Sequence, residues 1–100
     1  MEKYYEVEAV KKALRISTAL FDDEISALVD AAKADMTGAG INVDNKDISA
    51  LVLQAIKFYC RAYFSTNVDD SWAKHYEKLR DAIAARGVRT ADYTETDNDR

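Results

Sequence analysis

The sequence predicts an all-α fold, a small bundle of about four helices around a central apolar helix. Apolar residues recur at spacings of three and four in four separate stretches, which is the period of an α-helix. One of these stretches, residues 48–64, is apolar on nearly every side, so we expect other helices or neighbouring subunits to surround it. The chain has 100 residues, which suits a single domain with a modest core.

The overall charge narrows the classes of function. The net charge is −4, and acids dominate between Asp22 and Asp47, which disfavours specific binding to nucleic-acid phosphates. Lys57 and Arg61 interrupt the apolar stretch, so we expect no membrane span there. The first eight residues are charged and no apolar run follows them, so no signal peptide is predicted. We therefore expect the chain to be made in a cytoplasm-like compartment.

The first helix is expected at residues 4–16. Its apolar stripe is Tyr4, Val7, Val10, Ala13, Leu14 and Ile16. The charged residues that fall on the other side, and that we expect to face solvent, are Glu6, Glu8, Lys11, Lys12 and Arg15. The acids come early and the bases late in this stretch, an order that the helix dipole favours. Ser17 and Thr18 then indicate a break.

The second helix is expected to start near Asp22, with Asp22 or Asp23 as its N-cap. Phe21 would pack back onto the first turn as a hydrophobic staple. The inward stripe is Ile25, Leu28, Val29, Ala32 and Met36. Gly38 or Gly40 would adopt the left-handed conformation that ends the helix.

The central helix follows a connection at residues 41–46, for which alternating polarity suggests a short extended segment. Asn45 or Asp47 would cap the helix. Its strongly polar positions, Gln54, Lys57 and Arg61, share one narrow stripe. Cys60 lies among the apolar positions and is the only cysteine, so we interpret it as a reduced thiol in the core.

The last helix is expected from about Ser71 to Arg86, where Gly87 would end it. Its stripe is Trp72, Tyr76, Leu79 and Ile83. The remaining residues, 88–100, are mostly acidic and show no helical stripe, which predicts a flexible C-terminal tail. The predicted division is a helical domain at 1–87 and a tail at 88–100.

No group of residues predicts catalysis, a cofactor or a metal site. The single His75 and the single Cys60 lie on different predicted helices, so they do not form a nucleophile and base pair. Four closely spaced zinc ligands are missing from the sequence. The acids at 22–24 are better explained as helix capping, and the Gly-Ala-Gly at 38–40 lacks the context of a phosphate loop. We therefore expect no enzyme activity.

The polar stripe of the central helix offers candidate contacts with other molecules. Lys57 and Arg61 lie one turn apart there, where they would face solvent, pair with an acid, or contact another chain or passing DNA. The many aromatic residues are most simply core, although tyrosine and tryptophan are also enriched at interfaces. The candidate interface residues are Lys57, Arg61, Trp72, Thr90, Tyr93 and Thr94.

Three stretches in this order resemble a known family. They are ValLysLysAlaLeuArgIle at 10–16, PheAspAspGluIleSerAlaLeuValAspAlaAlaLysAlaAsp at 21–35, and AlaIleLysPheTyrCysArgAlaTyrPhe at 55–64. Together they look like the head–tail connectors of long-tailed phages and prophages, small helical adaptors beneath the portal. The resemblance covers about residues 7–84. It departs from the family at 44–47, where many relatives carry a proline and this chain has none.

The resemblance implies a compact helical subunit of the virion neck, assembled in the host bacterial cytoplasm. Such subunits form a ring, usually dodecameric, between the portal and the stopper or tail proteins. Double-stranded DNA crosses the ring during packaging and ejection. An apolar central helix in a small chain fits such assembly, and an acidic chain would let DNA pass without gripping it. Thr90, Tyr93, Thr94 and Thr96 are tolerated in strands, so residues 88–97 either order on the portal by adding a strand to a sheet edge or form a disordered tail without a role.

Two other classes of function compete with this reading. One is a small helical regulator that binds a single protein partner, such as an antitoxin or an anti-repressor. The size of the protein in solution and the genes beside it would separate these readings. The other is a helix-turn-helix DNA reader, which is disfavoured because no helix presents a basic face beside a tight turn.

Overall fold

The computed structural model describes the backbone of residues 3–64 and 71–92, and the side chains of 5–64 and 71–86. The elements are α1 (Lys3–Leu14), α2 (Asp22–Gly38), a 3-10 turn (Lys46–Ile48), α3 (Ser49–Phe64) and α4 (Ser71–Asp92). No strand occurs among these residues, so the predicted all-α bundle is confirmed. None of the described helices is long and apolar enough to cross a membrane.

The central position of α3 is confirmed, because α1, α2 and α4 all pack against it. Burial of apolar surface is worth about 25 cal/mol per Å², so this shared core provides most of the drive to fold. The stripes predicted for the four helices supply most of the core. Its buried apolar residues are Val7, Val10, Ile25, Val29, Ala32, Met36, Ile41, Val52, Ala55, Ile56, Cys60, Tyr76 and Ile83.

Two charged residues of α1 are buried, although the sequence pattern placed them on the solvent side. Glu6 is 4% exposed and Lys11 is 7% exposed. Glu6 Oε1 lies 2.6 Å from Lys33 Nζ, and Lys11 Nζ lies 2.9 Å from Asp22 Oδ1. Both pairs join α1 to α2. Buried charges require such partners, because an unpaired charge away from water is very costly.

Both α1 and α2 end in the same hydrogen-bonded motif. In α1, Arg15 has a φ of 62°, and the Ile16 N–H donates to the Lys11 carbonyl at 2.9 Å. In α2, Gly40 has a φ of 94°, and the Ile41 N–H donates to the Met36 carbonyl at 3.0 Å. These are Schellman caps, with a left-handed residue just past each helix. Gly40 was one of the two predicted positions, whereas α1 ends two residues earlier than predicted.

The N-terminus of α2 differs from the prediction that Asp22 or Asp23 would cap it. Phe21 holds the cap position and makes no side-chain capping bond, while both aspartates lie in the first turn. Asp22 is drawn away from the helix end by its ion pair with Lys11. The Phe21 ring packs edge-on against Phe64, with 5.4 Å between ring centroids, and thereby joins α2 to the end of α3.

The connection between α2 and α3 forms a turn, and the suggested extended segment is wrong. The Asn45 N–H donates to the Asn42 carbonyl, and the Asn42 side chain accepts from the Asp44 N–H. Asparagine favours this arrangement because its side chain bonds to the backbone two residues on. Asn45, one of the two residues expected to cap the central helix, instead caps the 3-10 turn before it, and its side chain accepts from the Asp47 N–H at 2.8 Å.

The last helix continues through Gly87 to Asp92, so the prediction that Gly87 ends it is wrong. A single glycine inside a helix costs roughly 1 kcal/mol relative to alanine, which its neighbours can offset. Alanines at 84, 85 and 91 flank it and are strong helix formers. Residues 88–92 of the predicted tail are therefore helical, and 93–100 lie outside the described residues.

Candidate subunit interface

The single cysteine and the single histidine, residue types often used in catalysis, both pack against other side chains of the subunit. Cys60 is fully buried on α3, and burial raises the pKa of its thiol to about 12. A thiol with this pKa stays protonated near neutral pH and is a poor nucleophile. His75 lies against the rings of Trp72 and Phe58, at 5.5 and 5.9 Å between centroids. Across the described part of the chain, no three His, Cys, Asp or Glu side chains could hold a metal ion.

Arg61 is held inside the subunit. Its Nη2 donates to the Ala13 carbonyl at 2.8 Å, in the last turn of α1. Its guanidinium also lies over the Trp72 ring, 4.6 Å from the centroid. A cation at the C-terminus of a helix meets the negative end of the helix dipole, and a guanidinium over an indole makes a cation–π contact. Arg61 therefore links α1, α3 and α4.

Trp72 lies in a small aromatic group on one side of α4. Its ring packs against Phe58 of α3 at 5.6 Å between centroids, and it is half-buried. With Arg61 on one face and His75 beside it, most of the contacts of the Trp72 ring are internal. The side chain thus positions α4 on α3, while its exposed part remains available at the surface.

Lys57 lies instead at the wall of an open groove between α1 and α3, which we call the α1–α3 groove. The groove has a volume of about 510 Å³. It is lined by Tyr5, Glu8, Ala9, Lys12, Ala13, Leu53 and Lys57. A second depression of about 400 Å³ adjoins it at Leu53, beside the turn before α3. The two hollows make this flank of α1 and α3 a concave surface.

Three large apolar side chains are more than half exposed in the described region. Leu20 is 77% exposed, Tyr5 is 52% and Tyr63 is 51%. Leu20 belongs to the connection between α1 and α2, residues 17–20, where every side chain is exposed. We call this connection, together with the first turn of α2, the α1–α2 corner. Single exposed apolar side chains are normal on protein surfaces, so a contact surface has to be argued from what surrounds each of them.

A hydrogen-bonded group ties α2 to α4. The Tyr76 hydroxyl donates to Asp35 Oδ2 at 2.5 Å, and Arg80 Nη1 lies 3.1 Å from the same oxygen. The Tyr76 hydrogen bond, reinforced by Arg80, lowers the pKa of Asp35. Burial and the neighbouring carboxylate raise the pKa of Tyr76. The group is therefore most stable with Asp35 ionised and Tyr76 protonated.

The six candidate interface residues have different positions in the structure. Lys57 lines the α1–α3 groove, whereas Arg61 and Trp72 make mainly internal contacts. Thr90 lies in the last turn of α4, and Tyr93 and Thr94 lie outside the described residues. Their role at an interface stays a prediction. Residues 88–92 are helical in the isolated chain, and the strand that 88–97 would add to the portal stays a prediction.

The sequence did not identify Tyr5, Leu20 and Leu53 as residues of the surface or of the groove. Tyr5 and Leu53 belong to helices whose apolar stripes were assigned to the core, and Leu20 falls in a connection. A signal existed for Leu20, because a leucine between two helices has no stripe to join. Tyr5 falls beside the apolar stripe of α1, which indicates exposure of its side chain less strongly.

No curated protein and no solved structure matches this chain significantly. A family comparison does: residues 7–94 match the family described as phage connector protein. The match covers α1 from Val7 onward and all of α2, α3 and α4, and it includes the three stretches that carry the resemblance. The chain therefore belongs to the phage connector protein family.

Proposed function

We propose that this chain forms a ring between the portal protein and the stopper or tail proteins of a phage particle. Membership of the phage connector family, over residues 7–94, is the observation that carries the proposal. The family is structural, and its members are components of the virion. The ring, its neighbours and its channel are the specific form that we propose for this role.

The surface of the subunit supports assembly with other chains. The fold buries most of α3 within one subunit, yet it leaves an open groove lined by the exposed Tyr5, and it leaves Leu20 and Tyr63 exposed at other places on the surface. Apolar area that stays in contact with water is a cost that association would remove, at about 25 cal/mol per Å². Contacts between two different patches of identical subunits form a closed ring when the rotation between subunits is a whole fraction of a turn.

The charge of the chain supports passage of DNA through such a ring. The net charge of −4 makes the subunit repel the phosphate backbone on average. A channel with little affinity for DNA lets the duplex move in both directions during packaging and ejection. In a filter-binding assay at low salt, we expect weak retention of duplex DNA that does not depend on its sequence. Tight retention would contradict this part of the proposal.

Electron microscopy of the purified chain mixed with its portal protein tests the proposed ring. We expect class averages that show a ring of this chain stacked on the portal, with a central channel. Portal alone provides the control for density that belongs to the portal. Portal particles without added density, together with a chain that sediments as a monomer in the mixture, would contradict the proposal.

A further inference from the structure

We propose that neighbouring subunits join by placing the α1–α2 corner of one copy in the α1–α3 groove of the next. This inference rests on the proposed ring and names the two surfaces that would build it. Leu20 is the apolar side chain that would enter the groove, and Ala9, Ala13 and Leu53 form the part of the wall that would receive it.

The corner presents Leu20 on a backbone that is held in place. The Leu20 N–H donates to Thr18 Oγ1 at 3.1 Å, and the Asp22 N–H donates to the Ala19 carbonyl at 3.1 Å. The leucine is nevertheless 77% exposed. Because the backbone is already held, little backbone freedom is lost when Leu20 is buried in a partner, and less entropy opposes its binding.

The groove has the size and lining for such a side chain. Its volume of about 510 Å³ is many times the roughly 10–15 Å³ that one water needs by the same measure, so the groove has room for a side chain. The alanines of α1, Ala9 and Ala13, keep this wall low, and Leu53 supplies apolar surface from α3. The exposed Tyr5 ring lies at the same groove and would be covered together with it.

The charges around the two surfaces are complementary. Lys12 and Lys57 line the groove, and neither is paired with an acid within the described part of the chain. Glu8 also lines the groove, but Lys11 lies 3.7 Å from its carboxylate and offsets its charge. Asp23 and Glu24 are exposed in the first turn of α2, just beyond Leu20, and are likewise unpaired among the described residues. Opposite charges at the rim of an interface fix orientation and speed association. This complementarity favours a second copy of the chain as the occupant.

The two surfaces share no residue, so each subunit can use both at once. A contact of this kind is heterologous, joining one patch to a different patch on the next copy. Repeated contacts then build a ring, whereas a groove that met another groove would stop at a dimer. The inference therefore distinguishes a ring contact from a twofold contact.

Cysteine cross-linking tests the pairing directly. The native Cys60 is fully buried with a raised pKa, so it adds little background reaction with a short bis-maleimide. Leu20→Cys and Ala9→Cys proteins are mixed in equal amounts with portal protein and cross-linked. We expect mixed dimers that join position 20 to position 9, in clear excess over dimers of either variant with itself. Ala34→Cys, which changes an exposed alanine of α2 outside the groove, replaces Ala9→Cys in the control mixture and should give no such excess.

The alternative outcomes are distinct from a failure of the ring itself. Rings in the micrographs without the 20-to-9 product would overturn this inference and leave the proposed function in place. A product that joins position 9 to position 9 would show a twofold groove contact and would also overturn it. Absence of both rings and cross-links would contradict the inference and the proposed function together.

A substitution at Leu20 gives a second, independent test. Leu20→Ser changes an exposed side chain, so the circular dichroism spectrum and the unfolding midpoint should stay close to wild type. We expect the dissociation constant for self-association to rise about tenfold, which corresponds to about 1.4 kcal/mol. The matched change Leu20→Met keeps the apolar surface and should associate like the wild type. Equal association of Leu20→Ser and wild type would overturn the inference.

Discussion

At the scale of single residues, the left-handed conformation of Arg15 is the least expected feature. Its φ of 62° lies where side chains crowd the following carbonyl, at a cost of roughly 1–2 kcal/mol for residues other than glycine. Gly40 occupies the equivalent position after α2, at a φ of 94°, without that cost. The chain thus uses the same cap twice, once with the favoured residue and once without it.

Exchanging these residue types should change stability in opposite directions. We expect Arg15→Gly to raise the free energy of unfolding by about 1 kcal/mol, because glycine adopts the left-handed conformation freely. Gly40→Ala should lower it by about 1 kcal/mol, although no atom lies within 4 Å of the added Cβ, because the backbone alone is strained. Urea denaturation measures both. Loss of stability in Arg15→Gly would show that Arg15 makes a stabilising contact that outweighs its strain.

Asp35 gives the fold a dependence on acid. The hydrogen bond from Tyr76, with Arg80, lowers the pKa of Asp35 in the folded state. The unfolded state therefore takes up a proton more readily, so this contribution to stability is present above the unfolded pKa of about 4 and is lost as the pH falls through the lower folded value. The Asp35 side chain is 43% exposed, so solvent screening limits the effect to about 1 kcal/mol or less.

Substituting Asp35 by asparagine should remove that dependence. We expect Asp35→Asn to be less stable than the wild type at pH 6 and the gap to shrink as the pH falls to about 3. Urea denaturation at a series of pH values gives the gap. The carboxylate of the exposed Asp44 has no partner among the described residues. Asp44→Asn is therefore the control, and its stability should differ less from that of the wild type. A gap that widens in acid would contradict the assignment.

At the scale of helices, Arg61 connects three of the four. It satisfies a carbonyl at the end of α1, belongs to α3 and stacks on Trp72 of α4. Unsatisfied carbonyls remain at the end of every helix, and a charged donor is an effective partner for them. The bundle therefore relies on a side chain from its central helix to fix the position of the first.

Removing the Arg61 side chain should destabilise the subunit. We expect Arg61→Ala to lower the free energy of unfolding by about 2 kcal/mol, the sum of a charge-assisted hydrogen bond and a cation–π contact. Lys57→Ala removes a cation one turn away that lines the groove, and should change stability by no more than about 0.5 kcal/mol. Thermal and urea unfolding of the two variants provide the comparison. Similar losses in both would show that the contacts of Arg61 contribute little.

The helices themselves were predictable from the spacing of apolar residues, since that spacing is local. The burial of Glu6 and Lys11 was not, because it depends on Lys33 and Asp22 of α2 approaching from far along the chain. The same holds for the N-cap, where an ion pair to α1 competed with capping. The predicted end of α4 at Gly87 was wrong, because a glycine alone does not show how strongly the residues around it favour a helix.

At the scale of the whole molecule, the predicted family is confirmed. The two surfaces proposed for assembly, by contrast, were found only from the structure. From the sequence, the apolar surface of residues 48–64 was expected to be covered either by other helices of the same domain or by neighbouring subunits. The structure shows that the subunit itself covers most of it, leaving a groove beside α3 and an exposed leucine elsewhere. Surfaces of this kind depend on how the helices are placed relative to one another, and the spacing of apolar residues does not predict that placement.

The central claim is that this chain builds a connector ring in the virion, and cryo-electron microscopy of the phage neck tests it most directly. We expect a ring of density on the tail side of the portal into which copies of α1–α4 fit, with the α1–α2 corner of each copy against the next. A neck whose rings are fully accounted for by other proteins, in particles that lack this chain, would contradict the account.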